Sequence, residues 1–393
     1  MKGRRPGGRN VAGKTIVVLG GGVGGLVAAN RLRQLLPRQH RVLLIDRSAI
    51  HAFAPAFTWV MTGEQRPARI VGDLRHLQRK GIEVVLAEVT ALDVERRRVY
   101  LGDQGYVYDY LVLSPGVEYS TGDIPGLGQA WTFYSLDGAE ALAEELAKLQ
   151  EGRIVILIPS VPYKCPAAPY EGALLLDYYF RRRGRRHSVE IAIFTPEPYP
   201  LPVAGPSVGE QVLEMLDRRG IRFTPGARVR AVDQEGRRIS FADGSEAPFD
   251  LLIGVPVHGA PRLVREAGLV GPSGWIEPDP YTLTTAWEGV YALGDVTHIP
   301  LAHGLPLPKA GVFAHGEAET VARNIAAEIE GSPQRWAFDG HGQCFLETGY
   351  GRAALVQGDF FAEPAPRVEL RRPGRFWHLV KAGFARWWLW RWL

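Results

Sequence analysis

Cys165 and Cys344 are the only cysteines in a chain of 393 residues. Two thiols cannot frame a disulfide-stapled fold or a multi-cysteine zinc or iron–sulfur site, so no metal centre is expected and any thiol chemistry belongs to the pair. Cys165 lies in the loop Tyr163-Lys164-Cys165-Pro166-Ala167-Ala168-Pro169-Tyr170-Glu171. Lys164 beside it and a helix expected over 171–183 would both lower the thiol pKa and favour thiolate. The competing reading is a small buried hydrophobe, but flanks of Lys, Pro, Pro and Tyr do not resemble a core. A second segment, Gly20-Gly21-Gly22-Val23-Gly24-Gly25, places glycine at all three positions of GxGxxG, and Asp46 follows 21 residues after Gly25. The first glycine makes a tight turn, the second admits a pyrophosphate against the backbone, and the third lets helix and strand pack. Asp46 would accept the hydroxyls of an adenosine ribose.

Positioning these groups requires strands and helices in alternation. TIVVLG (15–20) is a continuous β-branched apolar run of the kind buried in a parallel sheet, followed by a helical LVAANRLRQLL (26–36) and a second strand, RVLLID (41–46). Further strands are expected at 83–89, 107–116, 153–159, 189–195, 249–256 and 289–295, and further helices at 137–150 and 206–219. RIVILIP (153–159) opens a second βαβ series, so the fold is α/β with two parallel-sheet, Rossmann-like domains. No glycine lies between Pro159 and Glu171. The second strand therefore leads into a loop closed to a nicotinamide cofactor's pyrophosphate.

The composition is that of an ordinary globular protein, 46% hydrophobic and 22% charged with a net charge of +4. From Arg367 to the end, seven Lys/Arg stand against the single acid Glu369, a balance of +6 that leaves −2 for the rest. Five of the ten tryptophans share this tail: Trp377, Trp387, Trp388, Trp390 and Trp392. On a helical wheel Phe376, Leu379, Val380, Gly383, Phe384, Trp387 and Trp390 share one face, with Arg375, His378, Lys381 and Arg386 opposite and Arg391 the exception. An amphipathic, indole-rich, basic helix is expected to lie in a membrane headgroup plane; docking on the protein's own core and a dimer contact are the competing readings. The localised charge does not suggest nucleic-acid binding. No run approaches the ~20 apolar residues of a membrane span, and residues 1–13, with Arg4-Arg5 but no apolar run before Thr15, read as a flexible start rather than an export signal.

Several segments carry a family resemblance. Tyr108–Gly116 and Gly289–Val296 resemble the two signature strands of FAD enzymes with two dinucleotide-binding domains, the glutathione reductase-like fold. The segment 308–325 resembles the helix whose N-terminus faces the flavin pyrimidine. The Cys165 loop is similar to the KCPxxPYE-type loop of the sulfide:quinone oxidoreductase and flavocytochrome c sulfide dehydrogenase family. Phe53–Val60 with Gly63 is similar to that family's FxPxxxWVxxG segment, Pro308–Val312 to its PKxGV helix start, and Cys344 lies at its C-terminal cysteine position. Where many members carry a further cysteine, this chain offers Tyr134, so the resemblance implies a two-cysteine type with non-covalent FAD.

The resemblance implies sulfide oxidation by the Cys165/Cys344 pair, cycling through a disulfide or trisulfide. Two electrons then pass to FAD and on to a membrane quinone. The implied FAD-contacting residues are Gly20, Gly22, Gly25, Asp46, Arg47, Pro55, Val89, Ser114, Gly116, Gly294, Asp295, Lys309 and Gly311. Glu171, His298, His303 and His315 are candidate proton carriers, though each histidine reads first as a surface or structural one. The implied organisation is an FAD domain from 14–116 and 280–326, a second Rossmann-like domain over 117–279 carrying Cys165, a C-terminal region over 327–375 carrying Cys344, and a membrane-binding helix over 376–393. The partners are then sulfide, quinone and membrane lipid, with the enzyme peripheral (monotopic) on a membrane face the sequence does not specify; a homo-oligomer remains compatible. A cytochrome c acceptor, a type II NADH dehydrogenase and a flavin-based redox sensor are the rival readings, the second disfavoured by the glycine-free loop.

Overall fold

The computed structural model describes residues 13–393, so the flexible start expected over 1–13 lies, apart from Gly13, outside the described residues. The first sheet is built on β1 (Thr15–Leu19), which pairs in parallel with β2 (Arg41–Asp46) on one side and with Tyr110–Leu113 on the other. Glu83–Leu86 and Val290–Ala292 complete a five-stranded parallel sheet at its two edges. Side chains alternate across a strand, and they divide accordingly. Ile16, Val18, Leu44 and Val112 enter the large core cluster, whereas Val17, Leu19, Leu43, Ile45, Leu111 and Leu113 enter a second cluster on the opposite face. Burial on both faces is why these strands read as unbroken apolar runs.

Helix α1 (Val23–Leu35) makes the crossover from β1 to β2. The second parallel sheet, ordered Ile221–Thr224, Val189–Phe194, Gly152–Leu157 and Leu251–Gly254, repeats the logic with Ile154 and Ile156 on one side and Val155 and Leu157 on the other. From this sheet the chain enters the cysteine loop and then α2 (Ala168–Arg182).

After α3 (Gly311–Glu330) come three antiparallel strands, His341–Gly349, Arg352–Asp359 and Arg367–Gly374, with Cys344 opposite Val356 in register. The chain closes on α4 (Arg375–Trp392). Trp388 Nε1 donates to His51 Nε2 at 2.9 Å, Asn30 Nδ2 to the Trp392 carbonyl at 3.0 Å and Lys80 Nζ to the Arg391 carbonyl at 3.1 Å. The tail is thereby fastened to the first domain. Among the described residues no helix is long and apolar enough to cross a membrane.

Candidate functional site: a dinucleotide cradle and a cysteine pair

The glycine turn between β1 and α1 forms an open cradle. A Cβ on Gly25 would collide with the Gly20 carbonyl, whereas a Cβ on Gly22 would meet nothing within 4 Å. Gly25 therefore serves the close packing of turn and helix, and Gly22 faces space that a ligand backbone can enter. No side chain caps α1, which leaves its first N–H groups available to an anion. Asp46 accepts from Gly21 N at 2.6 Å and from Ser48 N at 2.8 Å, so acid and glycine turn meet as the spacing requires.

Opposite the cradle, Lys309 donates to the carbonyls of Asp295 and Thr297, both at 2.8 Å. Burial lowers its pKa to about 8, against the pull of Asp295 and Glu317. Burial likewise raises Glu317 to about 7, although its carboxylate accepts from Gly294 N at 2.5 Å. Asp295 is raised by burial and held down in part by Lys164 and Lys309.

The cysteine loop is pinned at several points. Cys165 adopts a left-handed backbone conformation, φ +52°, which costs a non-glycine residue on the order of 1–2 kcal/mol. It is held there because Cys165 N donates to the Lys309 carbonyl at 2.7 Å and Ala168 N donates to the Cys165 carbonyl at 2.8 Å. Below the loop one oxygen of buried Glu197 accepts from Tyr163 Oη, Tyr170 Oη and Thr195 Oγ1 at 2.9, 2.8 and 3.0 Å. Both shoulders of the loop are thus tied to a single carboxylate.

A second buried network comes from the tail. Lys381 Nζ of α4 lies 3.0 Å from both oxygens of Glu171, with side-chain exposures of 4% and 6%. Glu171 also accepts from Thr58 Oγ1 and from Glu347 N. His378 Nδ1 lies 3.0 Å from Glu347, and the Lys381 ammonium stands 4.6 Å from the centre of the Trp59 ring.

Cys165 and Cys344 adjoin this network. Both thiols are free and close enough to interact: burial raises the Cys165 pKa, and Cys344 is the next contributor. Burial also raises Cys344, to about 11, with Glu171 adding and Lys381 opposing. The expected thiolate at Cys165 is therefore corrected: desolvation outweighs Lys164. Lys164 stands 4.9 Å from the centre of the Tyr119 ring.

The sequence matches the model of the pyridine nucleotide-disulphide oxidoreductase family over residues 14–157 and 174–318. The chain belongs to that family. Residues 139–199, which contain the cysteine loop, match the central region of the sulfide dehydrogenase [flavocytochrome c] flavoprotein chain. A sulfide-quinone reductase of Aquifex aeolicus is 29% identical over 401 residues, covering 96% of this chain and 91% of its own. A mitochondrial sulfide:quinone oxidoreductase of Mus musculus is 22% identical, covering 89% and 79%. The crystal structure of the Aquifex aeolicus sulfide:quinone oxidoreductase superposes with a TM-score of 0.87 at 26% identity, over 96% of this chain and 91% of that one.

The protein is thus a flavoprotein of the sulfide:quinone oxidoreductase type with the two Rossmann-like domains expected, and FAD is its cofactor. The open cradle at Gly22 and the uncapped α1 fit a bound pyrophosphate. Of the implied FAD set, Gly20, Gly22, Gly25 and Asp46 form one constellation. Ser114, Gly294 and Gly311 border it: a Cβ on Gly24 would press on Ser114 Oγ, one on Gly294 would touch Ala314 Cβ at 3.3 Å, and one on Gly311 would touch Val23 at 3.3 Å. Gly116 is left-handed at φ +73° with open space beside it. Val89 packs on the apolar cluster under the sheet, Pro55 lies exposed in the turn Ala54–Ala56, and Arg47 projects into solvent after β2.

The candidate proton carriers separate clearly. Glu171 lies with the cysteines, whereas His315 sits against Glu319 and the rings of Trp388 and Trp392. His298 lies near Lys309 and Glu277, and both ring nitrogens of His303 lack a hydrogen-bond partner. Sequence reasoning missed Glu197, Thr58, Glu347 and the inward role of Lys381. The wheel grouped Lys381 and His378 as the outer polar face, but the structure docks that side through Lys381, Ala385, Trp388 and Trp392. The side left outside is apolar, with exposures of 65% at Phe376, 67% at Leu379 and 78% at Trp390.

Proposed function

We propose that the chain oxidises sulfide at the Cys165/Cys344 pair and passes two electrons through FAD to a membrane quinone. The overall conversion, HS⁻ + quinone + H⁺ → S⁰ + quinol, balances in atoms and charge. The observation that supports the reading is that two half-buried free thiols separated by 344 − 165 = 179 residues bear on each other electrostatically, with Glu171 and Lys381 bearing on both, and that Cys165 N donates to the Lys309 carbonyl. Hydrosulfide attack on a Cys165–Cys344 disulfide forms one S–S bond and breaks another, leaving a persulfide on one cysteine and a thiolate on its partner. Bound FAD supplies a two-electron acceptor. The left-handed turn at Cys165 and the Glu197 clamp hold the sulfur in position, while Glu171 and Lys381 provide a buried hydrogen-bonded pair for a proton.

For the acceptor, an open cleft of about 770 Å³ runs along Gly342, Gln343, Gln357 and Gly358 to Val312 at the start of α3. Its size suits a cofactor-sized ring. The outward apolar face of α4, with the basic residues of the tail around it, fits the headgroup region of a bilayer, so peripheral membrane attachment and a lipid-soluble acceptor are one reading. The domain limits 14–116 with 280–326, 117–279 and 327–375, the FAD contacts beyond the glycine turn, and the non-covalent state of FAD are part of the proposal. Steady-state assay with sulfide and a short-chain quinone tests it. Cys165→Ser and Cys344→Ser should each lose at least 100-fold in sulfide-dependent quinone reduction while retaining FAD; full activity in both would overturn the cysteine mechanism.

A further inference from the structure

His51 joins the tail to the glycine turn. It lies buried on the short strand Ile50–Ala52, and its two ring nitrogens meet partners of opposite character. Nδ1 stands 2.9 Å from the Gly21 carbonyl, and Nε2 stands 2.9 Å from the indole Nε1 of buried Trp388. A carbonyl oxygen can only accept and an indole N–H can only donate, so the ring carries its hydrogen on Nδ1 and offers a lone pair at Nε2. Burial lowers the His51 pKa and so favours this neutral form. Satisfying both partners fixes the tautomer and the orientation of the ring together.

What His51 holds is the cradle. Gly21 stands between the first two glycines of GxGxxG. Its N–H donates to Asp46 at 2.6 Å and its carbonyl accepts from His51, so the peptide groups leading into the open position at Gly22 are fixed from both sides. Helix α1 behind the turn is tied to the same tail. Asn30 Nδ2 donates to the Trp392 carbonyl, Asn30 Oδ1 accepts from Lys80 Nζ at 3.0 Å, and Lys80 also donates to the Arg391 carbonyl. The seat of α4 is close-fitting as well. Gly72 pairs with His51 between the antiparallel strands Ile50–Ala52 and Val71–Asp73, and a Cβ there would run into Leu393. Turn and helix of the cradle are thus both bonded to the last turns of α4.

We propose that His51 is a positioning residue for the dinucleotide cradle: Trp388 fixes the His51 ring, the ring fixes the Gly21 carbonyl, and docking of α4 and binding of FAD therefore strengthen each other. Such coupling is reciprocal: the factor by which the docked helix raises FAD affinity is the factor by which bound FAD favours docking. It rests on the glycine turn as the FAD site.

Equilibrium dialysis of the full chain against FAD, with native-state hydrogen exchange of α4, tests the coupling. Trp388→Phe lies outside the glycine turn, keeps a ring and removes the indole N–H. Nε2 is then buried without a donor, and the His51 ring is free to turn or to change tautomer. The FAD dissociation constant should rise about tenfold, the loss of one hydrogen bond. His51→Asn keeps an amide donor toward Gly21 while deleting Nε2, and should raise it by a similar factor. The double variant should bind no more weakly than the weaker single variant, because both changes break one link. In the wild type, saturating FAD should slow amide exchange in α4 about tenfold relative to the same chain at sub-stoichiometric FAD, with the strand Val189–Phe194 unchanged. An unchanged FAD dissociation constant in Trp388→Phe, multiplying losses in the double variant, or α4 exchange indifferent to FAD would each overturn the proposal. Equal loss of protection in α4 and Val189–Phe194 in the variants marks general destabilisation and also overturns it. Failure of the wild type to take up FAD would instead overturn the glycine turn as the FAD site, and the coupling with it.

Discussion

Lys381→Met tests the docking of the tail on the cysteine site. Lys381 Nζ makes two 3.0 Å contacts with Glu171, and both side chains are more than nine-tenths buried. Substitution leaves the Glu171 carboxylate with only Thr58 Oγ1 and Glu347 N as partners. Breaking one side of such a pair costs about 3–5 kcal/mol, because a charge remains buried without its counter-ion. The cost falls on α4, whose other fastenings are the His378–Glu347 contact and the hydrogen bonds to Trp388, Arg391 and Trp392. Native-state hydrogen exchange reads it locally: amide protection in α4 should fall by roughly 10² to 10³-fold, while the strand Thr15–Leu19 stays protected. Lys381→Met combined with Glu171→Gln removes both charges and should recover about 2 kcal/mol or more. A loss below about 1 kcal/mol in the single variant, or strict additivity in the double, would refute the claim that this buried pair docks the helix.

The remaining predictions concern the thiols, the cradle and the exposed face. In the reduced protein, Cys344, raised to about 11, should alkylate at pH 8 about 1,000-fold more slowly than its high-pH limit. Its rate should climb tenfold per pH unit with Cys165 slower still, and an iodoacetamide rate plateau below pH 9 would contradict this. Gly22→Val should fold yet bind FAD weakly, because its side chain enters open cradle space, whereas Gly25→Val should fail to fold stably against the Gly20 carbonyl; circular dichroism and FAD titration separate the two. Trp387→Ala with Trp390→Ala, at exposures of 42% and 78%, should leave the melting temperature unchanged but reduce partition into anionic vesicles at least tenfold. Equal vesicle binding would refute the proposed membrane face.

What the sequence disclosed follows locality. Gly20–Gly25 and Asp46 could be read because strand, turn, helix and strand are consecutive and each residue's role depends on its neighbours. The cysteine loop stood out because prolines and aromatics replaced expected glycines. The state of its thiol did not, since two of the groups that bear on Cys165, Cys344 and Lys381, are distant in the chain. A helical wheel shows which residues share a face but not which face docks. The partner that permits Lys381 to be buried, Glu171, lies 210 residues away, with no local pattern to announce it. The strands over 341–374 were likewise obscure: Gly342, Gly349, Gly358 and Gly374 interrupt their alternation, and only pairing with one another makes them a sheet.

Where electrons enter is measured directly by anaerobic mixing of the yellow, FAD-loaded protein with single reductants. Sulfide should bleach the flavin absorbance within the mixing experiment, NADH at the same concentration should not, and a short-chain quinone should then restore the colour. Bleaching by NADH with no response to sulfide would contradict this, since the glycine-free loop after Gly152–Leu157 argues against a nicotinamide donor and the Cys165/Cys344 pair is the proposed entry for electrons from sulfide.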